Sequence, residues 1–368
     1  MTLSQMTFEQ VSELSASQMF DLRVEQTPDA LAIRSVSEEL TFAQWRVRAW
    51  SIRRLLEDHL GNLRGERVSL WMSNDEACTY VSAFQAVLDA GAITAALDDR
   101  LTVEEAIRVL LEAEPAGLLL GPLVATRLGE EGLAQLGLHG AAAGADGAEM
   151  ILVALEDGHS RGESVPWSPG GSAAALAPTV AEAGDDAMIA YTSGSTGKPK
   201  GALWTQAGLC QYAERVSNAI YADPRGGRAL EASDVLQSPI PLYTAASIIE
   251  NLYPAVFAGC TLLYEGRRFD AASSERRMRE SRATVYNGVP PHYALMCQLP
   301  SPKFGPEQLS RVVDWASKKS QAATFSFVVV SSSVTLIPSL NVAPSSSSLT
   351  SSAPLIIRQR SWAASSSL

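Results

Sequence analysis

Cysteine is scarce: Cys78, Cys210, Cys260 and Cys297 are scattered through 368 residues and form no CxxC pair. That spacing excludes a disulfide framework and leaves buried thiols as the expectation. His59, His139, His159 and His292 likewise lack any metal-ligand spacing, so no zinc-type cluster is expected. No apolar run reaches the roughly 18 residues that a membrane helix needs. The first residues, MTLSQMTFEQ, offer neither a basic nor an apolar leader region. No membrane span and no secretory signal are therefore expected, and the chain reads as cytoplasmic.

Positive charge is outnumbered. Lys and Arg total 29 against 40 Asp and Glu, a net charge of −11 that argues against nucleic acid and anionic membranes as partners. Acidic residues vanish after Asp314, beyond which only Lys318, Lys319, Arg358 and Arg360 carry charge, leaving a body at −15 and a tail at +4. An acidic body that binds a polyphosphate must build a local positive site, which draws attention to lysines near glycine loops.

What is present fits an α/β protein of one large unit or two domains. Strand-like runs at Ala30-Leu31-Ala32-Ile33, Val68-Ser69-Leu70-Trp71-Met72, Ala92-Ile93-Thr94-Ala95-Ala96-Leu97 and Gly117-Leu118-Leu119-Leu120 alternate with amphipathic stretches. One such stretch carries Tyr80, Phe84, Val87 and Leu88 at helical spacing and ends at Gly91. Thr102 and Glu105 match a capping box for the next helix. The alternation predicts βαβ-type layered units with largely parallel sheets. Between residues 139 and 184 the pattern weakens into small-residue clusters, with one strand candidate over 151–155, and this stretch reads as a linker joining two sheet units. The pattern resumes with strands near 188–191, 235–239, 261–264 and 284–286 and helices near 206–220 and 246–257. The expected organisation is a first α/β unit over 1–175, a second over 176–312, and a serine-rich tail over 313–368. That tail is expected to be disordered, apart from a strand candidate over 324–330.

The most informative segment is Tyr191-Thr192-Ser193-Gly194-Ser195-Thr196-Gly197-Lys198-Pro199-Lys200-Gly201. Glycines at 194, 197 and 201 permit positive φ or close backbone approach, and successive N–H groups in such a loop form an anion-binding nest. Thr192, Ser193, Ser195 and Thr196 add hydroxyls, and Lys198 and Lys200 add charge. The plain alternative is a Ser/Gly surface turn. A Walker loop requires G-x-x-x-x-G-K-[ST]; here Thr192 replaces its first glycine and Pro199 its Ser/Thr, so that reading fails.

This string resembles the signature loop of adenylate-forming enzymes: acyl-CoA synthetases, aryl-CoA ligases, luciferases and peptide-synthetase adenylation domains. Weaker similarities follow in order at Leu40-Thr41-Phe42, residues 84–97 (FQAVLDAGAITAAL), Pro239-Ile240-Pro241-Leu242-Tyr243, Ala258-Gly259-Cys260 and Gly288-Val289-Pro290-Pro291. The resemblance covers roughly residues 15–312. It implies the N-terminal portion of the adenylate-forming fold. It also implies a reaction in which a small-molecule carboxylic acid and ATP form acyl-AMP, and a thiol such as coenzyme A then takes the acyl group. Thr192, Ser193, Gly194, Ser195, Thr196, Gly197, Lys198 and Lys200 would hold the ATP phosphates, with Thr196 near Mg²⁺ and both Thr196 and Lys200 serving catalysis. Tyr243, Gly288 and Val289 would line the carboxylate pocket.

The sequence departs from the family pattern at Thr244, where a histidine is common, at Gln206, where a histidine often follows the loop, and at Ala96, usually proline. The family's later motifs, a "YGxTE" turn, a "TGD" aspartate and a C-terminal domain with a catalytic lysine, are missing. The resemblance decays near Arg311-Val312-Val313-Asp314-Trp315, as a frameshift or mis-spliced product would. The expectation is a ligase crippled as this fragment, with a non-catalytic nucleotide-binding remnant or a carrier-protein-loading module as alternatives.

Overall fold

In the computed structural model the described residues are 2–136, 150–156, 159–167, 179–192, 200–220, 229–296, 298–299, 325–330 and 333–338. In chain order the strands are β1 (Leu31–Arg34), β2 (Glu39–Thr41), β3 (Arg67–Trp71), β4 (Ile93–Ala96), β5 (Gly117–Leu120), β6 (Met150–Glu156) and β7 (His159–Trp167). They continue with β8 (Asp186–Thr192), β9 (Lys200–Thr205), β10 (Val235–Ser238), β11 (Thr261–Tyr264), β12 (Val285–Tyr286), β13 (Phe325–Val330) and β14 (Ser333–Pro338). The α-helices are α1 (Phe8–Ser12), α2 (Ala16–Gln26), α3 (Phe42–Leu60), α4 (Ala77–Asp89), α5 (Val103–Ala113) and α6 (Pro122–Gln135). After them come α7 (Gln206–Arg215), α8 (Tyr253–Ala258), α9 (Ala271–Glu280) and α10 (Pro290–Met296).

Seven strands form one sheet in the order β7-β6-β5-β3-β4-β8-β9, and five form a second in the order β12-β10-β11-β1-β2. The centres are parallel, through β5-β3-β4-β8 in the first and β12-β10-β11-β1 in the second. Antiparallel pairs finish the edges: β5 with β6, β6 with β7, β8 with β9, and β1 with β2. This is the layered, largely parallel α/β architecture that the alternating pattern predicts.

Three hydrophobic clusters define the layers. The largest joins Val68 and Leu70 of β3, Ile33 of β1, and Leu236 and Leu262 of β10 and β11 to the buried faces of α2, α3, α4, α7 and α8. These helices fill the space between the sheets. A second cluster, with Trp71, Leu118, Leu120, Leu110 and Val124, seats α5 and α6 on the outer face of the seven-stranded sheet. A third, with Met278, Tyr286 and Met296, seats α9 and α10 on the outer face of the five-stranded sheet. Strand β5 shows how the chain encodes this: Leu119 faces the central layer while Leu118 and Leu120 face α5 and α6, the period-2 alternation of a strand covered on both sides.

Local signals start the helices. Thr102 and Glu105 form the expected reciprocal capping box, and Thr41 with Gln44 and Ser15 with Gln18 do the same for α3 and α2. Arg23 of α2 donates to the carbonyls of Val256 (2.8 Å) and Phe257 (2.6 Å) at the C-terminus of α8, where a cation complements the helix dipole.

Three sequence expectations are corrected. The described residues of the 139–184 stretch do not link two sheets: β6 and β7 extend the seven-stranded sheet, and β5 and β8 on either side belong to that same sheet. The antiparallel edge hairpin has too little continuous apolar content to stand out beside the fully covered parallel strands. The two segments 1–175 and 176–312 both contribute strands to each sheet. Finally, a strand that the sequence reading did not include, β9, stands between the glycine-rich segment and the helix expected near 206–220. Of the serine-rich tail, residues 325–330 and 333–338 form an antiparallel pair, β13 with β14, and β13 overlaps the strand candidate over 324–330. The remaining tail, like Cys297, lies outside the described residues; Cys78, Cys210 and Cys260 are buried thiols in no disulfide, as expected.

Candidate active site at the carboxyl ends of two sheets

Strands β3, β4, β5 and β8 point the same way, so the segments that follow them gather at one end of the seven-stranded sheet. In open α/β sheets ligands bind outside the carboxyl ends of the strands. The glycine-rich segment sits there. Thr192 is the last residue of β8, Lys200 is the first of β9, and the two are paired across an antiparallel ladder. The intervening residues 193–199, which include Ser193, Gly194, Ser195, Thr196, Gly197 and Lys198, lie outside the described residues. The next described element after β8 is the antiparallel strand β9, whereas a Walker loop joins a strand to a helix, so topology agrees with the failed Walker motif.

At the root of this hairpin, Gly201 is opposite Tyr191. Its φ is not positive, and so the conformational freedom expected of it is not used. Close approach is: a Cβ placed on Gly201 would fall 2.7 Å from Ile189 Cγ2. Tyr191 is half-buried and burial pushes its phenol up to about 12. Gln206, where the resemblance expects a histidine, opens α7 fully buried. It donates to Leu88 O (3.1 Å) and accepts from Ser17 N (3.4 Å), a packing role that ties α7 to α4 and α2.

The second group of predicted residues lies where the carboxyl ends of the five-stranded sheet meet this face. Tyr243 follows β10, and Gly288 and Val289 follow β12. Arg100, just after β4, donates to Tyr243 Oη at 2.7 Å and carries its guanidinium 5.9 Å from the ring centroid. The same guanidinium grips both carboxylate oxygens of Asp98 (Nε–Oδ1 3.0 Å, Nη2–Oδ2 2.7 Å). Burial alone would raise the Asp98 carboxyl, but hydrogen bonds from Arg100 and Tyr243 hold it below the usual range. Tyr243 moves the other way, raised by burial and by the Asp98 charge. Its neighbour Thr244, which replaces the family histidine, spends its hydroxyl on Pro241 O at 2.7 Å.

Gly288 N donates to Tyr293 Oη (3.1 Å) and Val289 N to His292 Nδ1 (3.2 Å). A Cβ on Gly288 would meet Tyr286 Cε1 at 3.0 Å and His292 Nδ1 at 3.2 Å, so the turn is shaped for glycine. His292 packs its ring 4.5 Å from that of Phe269, and burial lowers its pKa, leaving a neutral imidazole. Sequence reasoning singled out Tyr243, Gly288 and Val289. It gave no role to Asp98, Arg100, Asn74 and Arg267, polar residues just past strand ends that no motif marks.

Both sheets meet through these missed residues. Asn74 Oδ1 accepts from Leu242 N at 2.7 Å, Arg267 Nε pairs with Asp99 Oδ2 at 3.0 Å, and Arg267 N donates to Asp75 Oδ1 at 2.9 Å. Burial raises the Asp99 carboxyl despite Arg267. Among the described residues no group of three His, Cys, Asp or Glu is placed to hold a metal ion. No described helix is long and apolar enough to cross a membrane.

Comparison with known proteins agrees with this geometry. The chain is 27% identical over 255 residues to the acyl-CoA ligase sidI of Aspergillus fumigatus, covering 66% of this chain and 40% of the relative. It is 28% identical over 262 residues to an L-proline–[L-prolyl-carrier protein] ligase of Streptomyces coelicolor, covering 69% and 45%. The chain thus spans less than half the length of these curated relatives. The crystal structure of ATP-bound MatB from Rhodopseudomonas palustris superposes with a TM-score of 0.58 at 24% identity over 80% of this chain and 53% of that one, a likeness of fold. A family model described as AMP-binding enzyme matches residues 20–339, continuing past residue 312, where the resemblance read from motifs ends. A match of that extent, over strands and loops arranged as above, makes the chain a member of the AMP-binding enzyme family.

Proposed function

We propose that this chain takes part in ATP-dependent activation of a carboxylic acid. In the first half-reaction a carboxylate oxygen bonds to the α-phosphorus of ATP as the bond to the bridging oxygen breaks, giving acyl-AMP and releasing pyrophosphate. In the second, a thiol takes the acyl group and AMP leaves. The observation that carries this reading is the family match combined with a hydroxyl- and lysine-bearing loop at the carboxyl end of β8.

By composition the donor set suits a polyphosphate: Thr192, Ser193, Ser195 and Thr196 carry hydroxyls, Gly194 and Gly197 have no side chain to cover a backbone N–H, and Lys198 and Lys200 carry charge. Thr196 is the proposed neighbour of Mg²⁺, which when bound would neutralise phosphate charge. In such chemistry the protein positions reactants and stabilises developing charge. Tyr243, Gly288 and Val289 are the proposed wall of the acid pocket. The likeness to an acyl-CoA ligase supports coenzyme A as the acceptor. The likeness to a prolyl-carrier-protein ligase supports a carrier thiol as the second reading.

The test is equilibrium binding of Mg-ATP, followed by pyrophosphate release with a panel of fatty and aromatic acids, run beside Lys200→Ala. Acid-dependent release that falls about 10²–10³-fold in the variant supports the reading. ATP binding without acid-dependent release supports a nucleotide-binding remnant instead, and no ATP binding overturns the proposal.

A further inference from the structure

The segment carrying Tyr243 is held by the opposite sheet at two points one residue apart. Arg100 holds the Tyr243 hydroxyl, and Asn74 holds the backbone just before it. Asn74 opens the short turn after β3 and is only 6% exposed. A buried backbone N–H requires an acceptor, and Leu242 N at 2.7 Å therefore fixes the amide with its oxygen toward Leu242. The NH₂ then faces Glu265 O, 3.4 Å away in the segment after β11. One side chain on the seven-stranded sheet thereby spans two segments of the five-stranded sheet. Asp75 and Asp99, both anchored to Arg267, grip the same second segment.

We infer that Asn74 is a positioning residue for the acid pocket: it sets where Tyr243 stands relative to the carboxyl ends of the seven-stranded sheet. The inference rests on the acid-activation reading, and its mechanism is support of a pocket residue by a locked neighbour that touches no reactant. Removing the amide leaves Leu242 N without its acceptor and frees the 241–243 backbone, while among the described residues no hydrogen bond joins Asn74 to β8 or β9, which flank the proposed phosphate-binding segment. Loss should therefore fall on the acid and spare the nucleotide.

The experiment measures binding of Mg-ATP, and of benzoate and decanoate in its presence, by titration calorimetry for wild type, Asn74→Ala and Asn74→Asp. The expected result is about tenfold weaker binding of whichever acid wild type binds in Asn74→Ala, corresponding to about 1.4 kcal/mol. ATP affinity should stay within about twofold, and Asn74→Asp, which keeps the acceptor for Leu242 N, should recover most of the acid affinity. Equal losses for ATP and acid, unchanged acid binding in Asn74→Ala, or no recovery in Asn74→Asp overturns the inference alone. Wild type that binds neither ATP nor an acid overturns the activation reading and the inference with it.

Discussion

Gly201 lies so near Ile189 that a Cβ on it would fall 2.7 Å from Ile189 Cγ2, inside any real carbon–carbon contact. The two residues belong to the paired strands that flank residues 193–199, so crowding here would separate β8 from β9 next to the proposed phosphate-binding segment. Gly201→Ala is expected to cost about 1–3 kcal/mol, the range for overpacking a well-filled site. A urea titration should show a lower midpoint with an unchanged slope. ATP affinity should fall as well, because the spacing of Thr192 and Lys200 depends on this pair. A variant with wild-type midpoint and affinity would show that the hairpin accommodates the extra methyl.

The central helical layer contains a chain of paired charges, with Arg46 and Asp89 buried and Asp21 half-buried. Arg46 Nε pairs with Asp21 Oδ1 at 2.8 Å, and its Nη1 pairs at 2.5 Å with the fully buried Asp89, which also accepts from Gln85 Nε2 at 2.7 Å. Removing one partner of such a pair leaves the other charge buried and uncompensated. Arg46→Met should therefore destabilise by about 3–5 kcal/mol, while Arg46→Met with Asp89→Leu should recover part of that loss. Chemical denaturation of both variants checks the order; a single variant as stable as wild type would contradict it.

Much of this architecture was legible because it rests on local, repeated signals. Leu118-Leu119-Leu120 announces a strand buried on both faces, and Thr102 with Glu105 announces a helix start; both occur where the pattern places them. The edge hairpin of β6 and β7 was half legible, since Ile151-Leu152-Val153 reads as a strand but its partner, with Arg161, Glu163 and Pro166, does not. Strand β9 was hidden because Lys200 and Gly201 read as loop residues, and pairing with β8 rather than propensity makes them a strand. The site divides in the same way. Thr192, Lys200, Tyr243, Gly288 and Val289 belong to contiguous motifs. Asn74 and Arg100 matter through partners 168 and 143 residues away, a relationship that no short-range pattern carries.

At the proposed acid pocket, the turn after β12 is too tight for a side chain on Gly288. A Cβ there would sit 3.0 Å from Tyr286 and 3.2 Å from His292, both of them half-buried or buried and unable to withdraw freely. Gly288→Val should therefore displace Val289 and weaken acid binding by about tenfold, a cost of about 1.4 kcal/mol. ATP affinity, read in the same titration, should be unchanged because β12 lies in the other sheet from β8 and β9, which flank the proposed phosphate-binding segment. Loss of ATP binding together with acid binding would place Gly288 in the fold rather than in the pocket.

Asp21 makes the stability of the central layer depend on pH. Burial raises its carboxyl from 3.8 to about 6; Arg46 and Arg53 pull it down, but Asp89 and Glu25 add to the rise. The folded protein thus keeps a proton on Asp21 between about pH 4 and pH 6 that the unfolded chain releases. Stability then falls as pH rises through that window, by at most about 1.4 kcal/mol per pH unit for one group. Glu76, Asp99 and Glu265 have raised carboxyls of the same sign, and Asp98 a lowered one, but all four are shared with an Asp21→Asn variant and cancel in the comparison. The difference in unfolding free energy, wild type minus Asp21→Asn, should decline between about pH 4 and pH 6 and level off above pH 7. Urea unfolding of the two proteins across that range measures it directly. A difference that is flat with pH would mean that Asp21 ionises in the folded protein as it does in the unfolded chain, with Arg46 fully offsetting burial and the two neighbouring carboxylates.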